Sequence, residues 1–218
     1  MVYYFTWEHD VPSLPPRWEQ LLSPERVHKA MQYKRESDRR LCAWSFLLLR
    51  YALFCEYKTL DMPHWIYDEN GKPHDSQKKY CFNISHCDTA VACAVDTREI
   101  GVDVQDFRPV SDAVIRKVCS DAEISALQNC DEAEKLFAAF WASKEAYGKQ
   151  KAEGIGYELK AKSFCDGNAF PVVCSCDDLI VKTQLTDRFA LSFCSVREMK
   201  TVCVSVRQVN GFLQNLSL

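Results

Sequence analysis

The strongest constraint on the fold comes from two segments that each place a carboxylate in an otherwise apolar row. In residues 100–105 the side chains alternate as in a β-strand, and Asp103 lies in the middle of an apolar run. In residues 137–149, side chains four positions apart stack on one helix face, so Glu145 continues the apolar row that contains Trp141. A buried carboxylate is costly unless a positive group meets it. The pattern therefore predicts that the two carboxylates share a hard cation, and Mg²⁺ fits.

Each carboxylate taken alone also fits an ordinary structural role. Glu145 and Lys149 have the i,i+4 spacing of a surface ion pair, which contributes little to stability. Asp103 could cap a turn or accept hydrogen bonds from neighbouring backbone amides. The choice between these interpretations depends on the rest of the chain.

The composition is that of a globular protein without a nucleic-acid or membrane signature. Of the 218 residues, 47% are hydrophobic and 12% aromatic, enough for the core of one large domain or two small ones. The net charge of -3 gives no basic surface for nucleic acid. No run approaches the length of a membrane span, and residues 1–8 lack the features of a signal peptide. We therefore expect a cytoplasmic protein.

The cysteines also indicate a reducing compartment. The chain has 12 of them, and without a secretion signal we expect small buried apolar residues rather than disulfides. No Cys-x-x-Cys pair occurs, and Cys174-Ser175-Cys176 has no matching second pair. The sequence therefore does not predict a zinc site.

Periodicity and capping residues predict a mixture of helices and strands. Ser23-Pro24-Glu25 begins the first helix, and Asn70-Gly71 indicates a turn. The later helices are predicted at 37–56, 111–118, 121–128 and 131–150. The strands are predicted at 3–8, 80–85, 89–105, 160–175, 178–184, 188–196 and 200–207. An internal similarity between 88–95 and 187–194, each a turn residue followed by an apolar strand, suggests a duplicated α+β unit.

Four motifs resemble the signature of the Sfp-type 4′-phosphopantetheinyl transferases, in the family's order and with similar gaps. They are Gly71-Lys72-Pro73, Phe82-Asn83-Ile84-Ser85-His86, Ile100-Gly101-Val102-Asp103-Val104 and Trp141-Ala142-Ser143-Lys144-Glu145-Ala146-Tyr147-Gly148-Lys149. Together they cover most of residues 20–165. Enzymes of this family transfer the phosphopantetheine arm of coenzyme A to a serine of an apo acyl- or peptidyl-carrier protein and release adenosine 3′,5′-bisphosphate.

The resemblance implies the family's fold, cofactor and partners. The fold is α+β, with two similar halves related by a pseudo-twofold axis and the active site in the cleft between them. We place the halves at residues 1–104 and 105–218, with the break near Arg108-Pro109. Because one chain would contain both sides of the cleft, we expect a monomer that uses Mg²⁺, with coenzyme A as co-substrate.

The resemblance assigns the chemistry to the strand and the helix described first. Asp103 and Glu145 would hold Mg²⁺ against the pyrophosphate, and Glu145 or a water that it orients would be the base for the carrier serine. Lys149, one turn further along the helix, would contact the α-phosphate. Lys144, about 100° around the helix, would face the carrier or the nucleotide.

The resemblance assigns other residues to the nucleotide. Ser85 and His86, where a strand meets a turn, would bind the 3′-phosphate, and Lys72 would contact the nucleotide. A nucleophilic pair of Ser85 and His86 is disfavoured, because adjacent strand residues point to opposite faces.

Basic residues near the first helix are also assigned to the 3′-phosphate. Arg26 and Lys29 match a basic pair of the family, although a solvated helix face explains them nearly as well. An additional arginine of the family corresponds to Arg39 or Arg40, and the sequence leaves this choice open.

Three positions depart from the family pattern. Gln105 stands where a glutamate is common, and its neutral oxygen would serve the metal through a bound water. Ala142 replaces a small hydroxyl or thiol residue, with little expected consequence. Val118-Cys119 replaces a phenylalanine pair in a segment that helps to receive the carrier, so docking strength or partner choice would change.

Two functions from other classes remain alternatives. A non-catalytic module would bind coenzyme A or a carrier without turnover, which the intact Asp103 and Glu145 disfavour. A coenzyme A-dependent acyltransferase would need a base near a thioester but no paired metal carboxylates.

Overall fold

A computed structural model describes residues 1–61, 63–67, 72–152, 160–164 and 173–216. The described residues form a mixture of helices and β-sheets, as the sequence predicted. The strands are β1 Val2–Thr6, β2 Trp65–Tyr67, β3 Pro73–Asp75, β4 Cys81–His86, β5 Ala90–Asp96, β6 Gly101–Asp106, β7 Val173–Cys176, β8 Leu179–Leu185, β9 Phe189–Ser195 and β10 Thr201–Cys203. The α-helices are α1 Pro24–Met31, α2 Glu36–Tyr57, α3 Asp112–Val118, α4 Asp121–Gln128, α5 Ala133–Lys151 and α6 Val206–Gln214.

The chain divides into two compact units. The first contains Met1–Thr97 and Lys200–Leu218, and the second contains Arg98–Met199. In the described part of either unit, no helix is both long and apolar enough to cross a membrane.

The first unit is built on a four-stranded sheet in the order β10-β1-β5-β4. Strand β1 pairs antiparallel with β5 and parallel with β10, and β4 and β5 are antiparallel neighbours. The long helix α2 packs on this sheet. Its Leu41, Trp44 and Leu48 side chains are buried, and the centre of the Trp44 ring lies 5.3 Å from that of Phe5 in β1. This aromatic contact joins the helix to the sheet in the core of the unit.

The second unit has a four-stranded antiparallel sheet in the order β6-β9-β8-β7. The long helix α5 packs across β6, β9 and β8. Its buried face is rich in small residues, which allow a close approach of helix and sheet: Ala138, Ala139, Ala142 and Ala146. This close approach positions the candidate site described below.

The two sheets repeat the same order of elements. In each unit the first strand is followed along the chain by a long helix, and later by a pair of antiparallel strands that join the same sheet. The resulting arrangements are β1-β5-β4 and β6-β9-β8. The similar segments 88–95 and 187–194 fall on β5 and β9, which are the central strands of these arrangements. The duplicated order of elements therefore agrees with the sequence similarity, while the pseudo-twofold axis stays a prediction.

The division of the chain differs from the predicted halves 1–104 and 105–218. Strand β6 pairs with β9, so Asp103 belongs to the second unit, together with Glu145. Strand β10 pairs with β1, so residues 200–218 belong to the first unit. Pairing between strands that are distant in the sequence determines both corrections.

Two predicted strands also differ from the structure. The predicted strand 89–105 is in fact β5 and β6, separated by residues 97–100. The predicted strand 200–207 contains only the short β10, and the sequence analysis missed α6, whose start is capped by Ser205 and Gln208. The predicted turn Asn70-Gly71 and residues 165–172 lie outside the described residues.

Candidate active site

The contact between α5 and β6 positions the candidate site. At Gly101 the strand lies so close to the helix that a Cβ atom would collide with the Ala146 carbonyl oxygen and stand 2.7 Å from the Gln150 nitrogen. This close approach is possible only because residue 101 has no side chain. Asp103 lies two residues further on, on the same face of the strand, and therefore faces the helix.

Asp103 and Lys149 form an ion pair between the strand and the helix. The Lys149 Nζ atom lies 2.6 Å from Asp103 Oδ1 and 3.3 Å from the Val102 carbonyl oxygen. Asp103 is only 5% exposed, whereas the Lys149 side chain retains 28% of its accessible surface. A buried carboxylate needs a positive partner, and α5 supplies one.

Glu145 lies one helical turn before Lys149 and is half-buried. Its pKa is raised, first by burial and then by the negative charge of Asp103, while the positive charge of Lys149 acts in the opposite direction. The two carboxylates are therefore close enough to repel each other. A divalent cation held by both would relieve this repulsion, so the donor chemistry fits Mg²⁺.

Gln105 can add a neutral oxygen to the two carboxylates. It follows Asp103 by two positions on the same strand face and is partly exposed. Across the described residues, no group of three or more His, Cys, Asp or Glu side chains could hold a metal ion. A cation at Asp103 and Glu145 would thus complete its coordination with water, the Gln105 amide or substrate oxygens, and Mg²⁺ usually keeps several such ligands.

A row of buried hydroxyls continues from Asp103 across the sheet. Ser192 stands opposite Asp103 in the register of β6 and β9, and Thr183 stands opposite Ser192 in β8. Thr183 Oγ1 lies 2.8 Å from Ser192 Oγ and 2.9 Å from Ser143 Oγ, which donates to the Ala139 carbonyl oxygen. These hydroxyls have hydrogen-bond partners, as buried polar groups require. The sequence analysis missed this row, because its members come from three separate elements.

The contacts that the structure shows for Lys144 are not the predicted ones with the nucleotide or the carrier. Its Nζ atom lies 3.0 Å from Glu123 Oε2, and both side chains are 0% exposed. The same ammonium donates to the carbonyl oxygens of Lys160 at 3.1 Å and Lys162 at 2.5 Å. These contacts hold the Lys144 ammonium inside the second unit. The contact of Lys144 with the nucleotide or the carrier stays a prediction.

Glu123 connects Lys144 to the beginning of α4. Its Oε2 atom accepts a hydrogen bond from the Ser120 backbone N–H at 2.8 Å, and Ser120 Oγ accepts one from the Glu123 N–H, which forms a capping box. Its Oε1 atom accepts from the Phe164 N–H at 3.1 Å. The buried pair thus joins α4, α5 and residues 160–164. Removing one partner would leave an uncompensated buried charge.

The two basic residues of α1 lie in different environments. Arg26 is 7% exposed, and its guanidinium lies 3.8 Å from the centre of the Phe46 ring and donates to the Cys42 carbonyl oxygen at 3.3 Å. Desolvation by burial lowers the pKa of Arg26. Arg26 thus packs in the first unit, and its contact with the 3′-phosphate stays a prediction. Lys29 is exposed, and its assignment stays a prediction.

The other predicted nucleotide residues also belong to the first unit. Ser85 is buried and His86 is exposed at the end of β4, as expected for neighbouring strand residues on opposite faces. Lys72 is half-buried directly before β3. Arg40 pairs with Glu36, while the Arg39 guanidinium donates to the Tyr33 carbonyl oxygen at 3.4 Å. The choice between the two arginines stays open, as do the roles of Ser85, His86 and Lys72.

Comparison with known proteins shows which family the chain resembles. Residues 99–201 match the 4′-phosphopantetheinyl transferase superfamily. The chain is 29% identical over 153 residues to the 4′-phosphopantetheinyl transferase Sfp of Bacillus subtilis (strain 168), a match that covers 67% of each chain. It is 30% identical over 145 residues to the 4′-phosphopantetheinyl transferase psf-1 of Bacillus pumilus, covering 64% of this chain and 62% of the relative. Over residues 99–201, the chain is thus similar to the 4′-phosphopantetheinyl transferase superfamily.

The superfamily match coincides closely with the second unit. It begins two residues before β6 and ends at the first residue of β10, so it contains Asp103, Gln105, Glu145 and Lys149. A further relative, the 4′-phosphopantetheinyl transferase HetI of a Nostoc species, is 33% identical over 98 residues, or 41% of each chain. The chain spans about two thirds of the length of Sfp and psf-1.

Proposed function

We propose that this protein transfers the 4′-phosphopantetheine arm of coenzyme A to a serine of an apo acyl- or peptidyl-carrier protein, in a Mg²⁺-dependent reaction that releases adenosine 3′,5′-bisphosphate. The observation that carries the proposal is the cluster on β6 and α5. There, two carboxylates that repel each other lie beside one lysine, within the region that matches the transferase superfamily. Such a cluster suits a reaction at a pyrophosphate, which needs both a divalent cation and a base.

Asp103 and Glu145 would hold the Mg²⁺ ion, with Gln105 assisting through a bound water. When bound, the ion neutralises the pyrophosphate and stabilises charge that develops in the transition state. The transfer also needs a base for the carrier serine, and Glu145 is the carboxylate that α5 adds to this cluster. Glu145, or a water that it orients, would therefore remove the proton of the carrier serine.

The proposed transfer is a single substitution at one phosphorus atom of coenzyme A. The serine oxygen forms a bond to the phosphorus next to the pantetheine, and the bond from this phosphorus to the bridging oxygen breaks. The bridging oxygen leaves with adenosine 3′,5′-bisphosphate, and the serine proton goes to Glu145. Lys149 would contact the α-phosphate and stabilise the charge of the leaving group.

The nucleotide would be held by residues of the first unit. Lys29, Ser85 and His86 are assigned to the 3′-phosphate, and Lys72 to another part of the nucleotide. Ser85 and His86 lie at the end of β4, where side-chain donors and turn amides can form an anion site. The nucleotide residues lie in the first unit and the metal carboxylates in the second, and we propose that one chain supplies both sets of residues, as a monomer.

The carrier would approach the region of α3 and α4. Val118 and Cys119, which replace the phenylalanine pair of the family, are buried in the second unit. Their effect on a carrier would therefore be transmitted through packing rather than through direct contact. Exposed side chains of α3, such as Arg116 and Lys117, are better placed for that contact.

Intact-mass analysis of apo carriers tests the proposed function. A candidate acyl- or peptidyl-carrier protein is incubated with the protein, acetyl-coenzyme A and Mg²⁺, and a carrier that lacks the acceptor serine serves as the control. A transferase adds acetyl-phosphopantetheine, an acyltransferase adds only the acetyl group, and a binding module adds nothing. A mass gain of the whole arm, confined to the serine-containing carrier, is the expected result. Addition of the acetyl group alone would identify the acyltransferase.

A further inference from the structure

Lys149 lies against one oxygen of Asp103, a carboxylate that would hold the metal ion. Its ammonium lies 2.6 Å from Asp103 Oδ1, which is the distance of a charge-assisted hydrogen bond. Its charge also acts on Glu145, one helical turn away. Lys149 thus acts on both carboxylates that would bind Mg²⁺.

We propose that Lys149 is a resident counter-ion, which occupies Asp103 until coenzyme A provides another anion for its ammonium. This inference rests on the proposed function, because it takes Asp103 and Glu145 as the metal ligands. A metal ion that approaches Asp103 must displace the ammonium or share the carboxylate with it. Either event costs free energy that depends on the charge of Lys149.

The environment of Lys149 permits such an exchange. The side chain is 28% exposed, whereas that of Asp103 is 7% exposed. Lysine carries its charge on a flexible four-carbon stem, so the ammonium can move while the strand and the helix keep their positions. Lys144, on the same helix, contrasts with it, because Lys144 is fully enclosed with Glu123.

The consequence is that coenzyme A and the metal bind interdependently. The pyrophosphate gives the Lys149 ammonium a new anionic partner and releases Asp103 for the metal. Coenzyme A therefore raises the affinity for the metal, and by thermodynamic reciprocity the metal raises the affinity for coenzyme A by the same factor. In the absence of substrate, the metal site therefore binds free cations more weakly.

The test measures metal binding directly, without turnover. The full-length protein is titrated with Mn²⁺, which accepts the same oxygen ligands as Mg²⁺, and free Mn²⁺ is measured by electron paramagnetic resonance. Titrations are made with no nucleotide, with coenzyme A, and with adenosine 3′-monophosphate, which lacks the pyrophosphate. The variants are Lys149→Met and Lys149→Gln, which remove the charge, and Lys149→Arg, which keeps it. Lys151→Met is the matched control, because Lys151 is an exposed lysine of the same helix whose ammonium lies 5.9 Å from the Tyr147 ring.

We expect coenzyme A, but not adenosine 3′-monophosphate, to tighten Mn²⁺ binding to the unsubstituted protein by about tenfold or more, within the usual range of coupling between sites. Without nucleotide, Lys149→Met and Lys149→Gln should bind Mn²⁺ about tenfold more tightly than the unsubstituted protein. Their affinity should rise much less when coenzyme A is added. Lys149→Arg and Lys151→Met should resemble the unsubstituted protein.

The inference is overturned if the neutral variants bind Mn²⁺ no more tightly than the unsubstituted protein without nucleotide. It is also overturned if Lys151→Met gains as much affinity as they do, or if coenzyme A leaves Mn²⁺ binding unchanged. The carrier mass assay is scored separately. Transfer to the carrier together with unchanged Mn²⁺ affinities rejects the counter-ion and keeps the transferase, whereas absence of transfer to every carrier tested counts against the transferase itself.

Discussion

At the scale of single residues, Glu145 combines two properties that are rarely found together on a helix surface. It is half-buried, and it lies beside a second carboxylate that raises its pKa. We expect Glu145→Gln to lower the rate of carrier modification by roughly 10²–10⁴, which is the usual contribution of general-base assistance. Binding of coenzyme A, measured by calorimetry without metal, should change little. Near-normal turnover of this variant at saturating substrates would remove Glu145 from the roles of base and ligand.

Gln105 tests how the metal completes its coordination. A carboxylate on the same face of β6 as Asp103 adds charge to the site, and hard divalent cations bind more tightly as ligand charge increases. We expect Gln105→Glu to lower the Mg²⁺ concentration needed for half-maximal carrier modification. Gln105→Ala should cost far less activity than Asp103→Ala, since water can replace a neutral outer ligand. A Mg²⁺ requirement that is the same in Gln105→Glu and in the unsubstituted protein would show that this side chain does not serve the metal.

His86 offers a test of the nucleotide assignment. If its imidazole contacts only the 3′-phosphate, His86→Ala should raise the KM for coenzyme A and do much less to the KM for 3′-dephospho-coenzyme A. Steady-state kinetics are measured for the unsubstituted protein and for His86→Ala, each with coenzyme A and with 3′-dephospho-coenzyme A. These four measurements form a double-mutant cycle in which His86 and the 3′-phosphate are the two partners. Equal losses on the two substrates would assign His86 a purely structural role.

The sequence carries a clearer local signal for the acidic candidate residues than for the basic ones. Asp103 and Glu145 stood out because each interrupts an apolar row within its own element, and such a signal is local. Lys144 and Arg26 carried no comparable signal. Their burial depends on Glu123 and Phe46, which belong to other elements, and one sequence does not reveal which side chains from distant segments enclose a charge.

At the scale of elements, the contact of β6 with α5 depends on Gly101. A methyl group at this position would meet the backbone of α5, which cannot yield as the end of a flexible side chain can. We expect Gly101→Ala to lower the free energy of unfolding by about 1–3 kcal/mol, as overpacking usually does. The measurement is urea unfolding followed by circular dichroism.

Gly211 in α6 is the matched control for this prediction. A Cβ atom there would have no neighbour within 4 Å, and alanine is favoured over glycine in a helix by about 0.5–1 kcal/mol. Gly211→Ala should therefore stabilise the protein. If Gly101→Ala proved as stable as the unsubstituted protein, the close approach would not be the reason for the glycine.

The two longest helices were predicted within a few residues, whereas the capped helix α6 was missed. The helices predicted at 37–56 and 131–150 correspond to α2 and α5. The junction of β5 and β6 was missed, although the polar residues Asp96-Thr97-Arg98-Glu99 interrupt the apolar run there. This local signal could have shown where the chain leaves one sheet and enters another.

At the scale of the whole molecule, the cysteines provide a probe of unfolding. All the cysteines in the described residues are free thiols. Cys203 is exposed, while burial raises the pKa of Cys119 and Cys194 to about 12. Because only the thiolate reacts, a group whose pKa is raised stays protonated and unreactive at neutral pH. We expect Cys203 to be alkylated first, and the buried thiols to react only on unfolding.

Mass spectrometry of the alkylated protein at increasing urea concentrations checks this prediction. Cys203→Ser should remove the fast phase and leave the unfolding-dependent phase unchanged. Rapid labelling of Cys119 or Cys194 in the native protein would show that the core of the second unit opens far more readily than its burial indicates.

The presence of two similar α+β units could be predicted in part from the sequence. The residues at which the units begin and end could not. Similar apolar strands at 88–95 and 187–194 indicated two comparable units, because each segment carries the pattern of a central strand. The pairing of β10 with β1 could not be predicted from the sequence. Strand β10 is an edge strand of only three residues, which is too short to show a hydrophobic period. Long-range pairing of this kind is decided by the sheet as a whole.

The parallel pairing of β1 with β10 has a consequence for the order in which the protein folds during synthesis. The Val2 backbone N–H donates to the Lys200 carbonyl oxygen, so the ribosome must complete nearly the whole second unit before this contact can form. Strands β6 to β9 lie within one continuous segment of the chain. Their sheet can therefore form as soon as this segment has left the ribosome. The earlier-made segment Met1–Thr97 would meanwhile carry an open edge on β1, where unpaired backbone groups favour association with other chains. The unit that is started first is thus the one that is finished last.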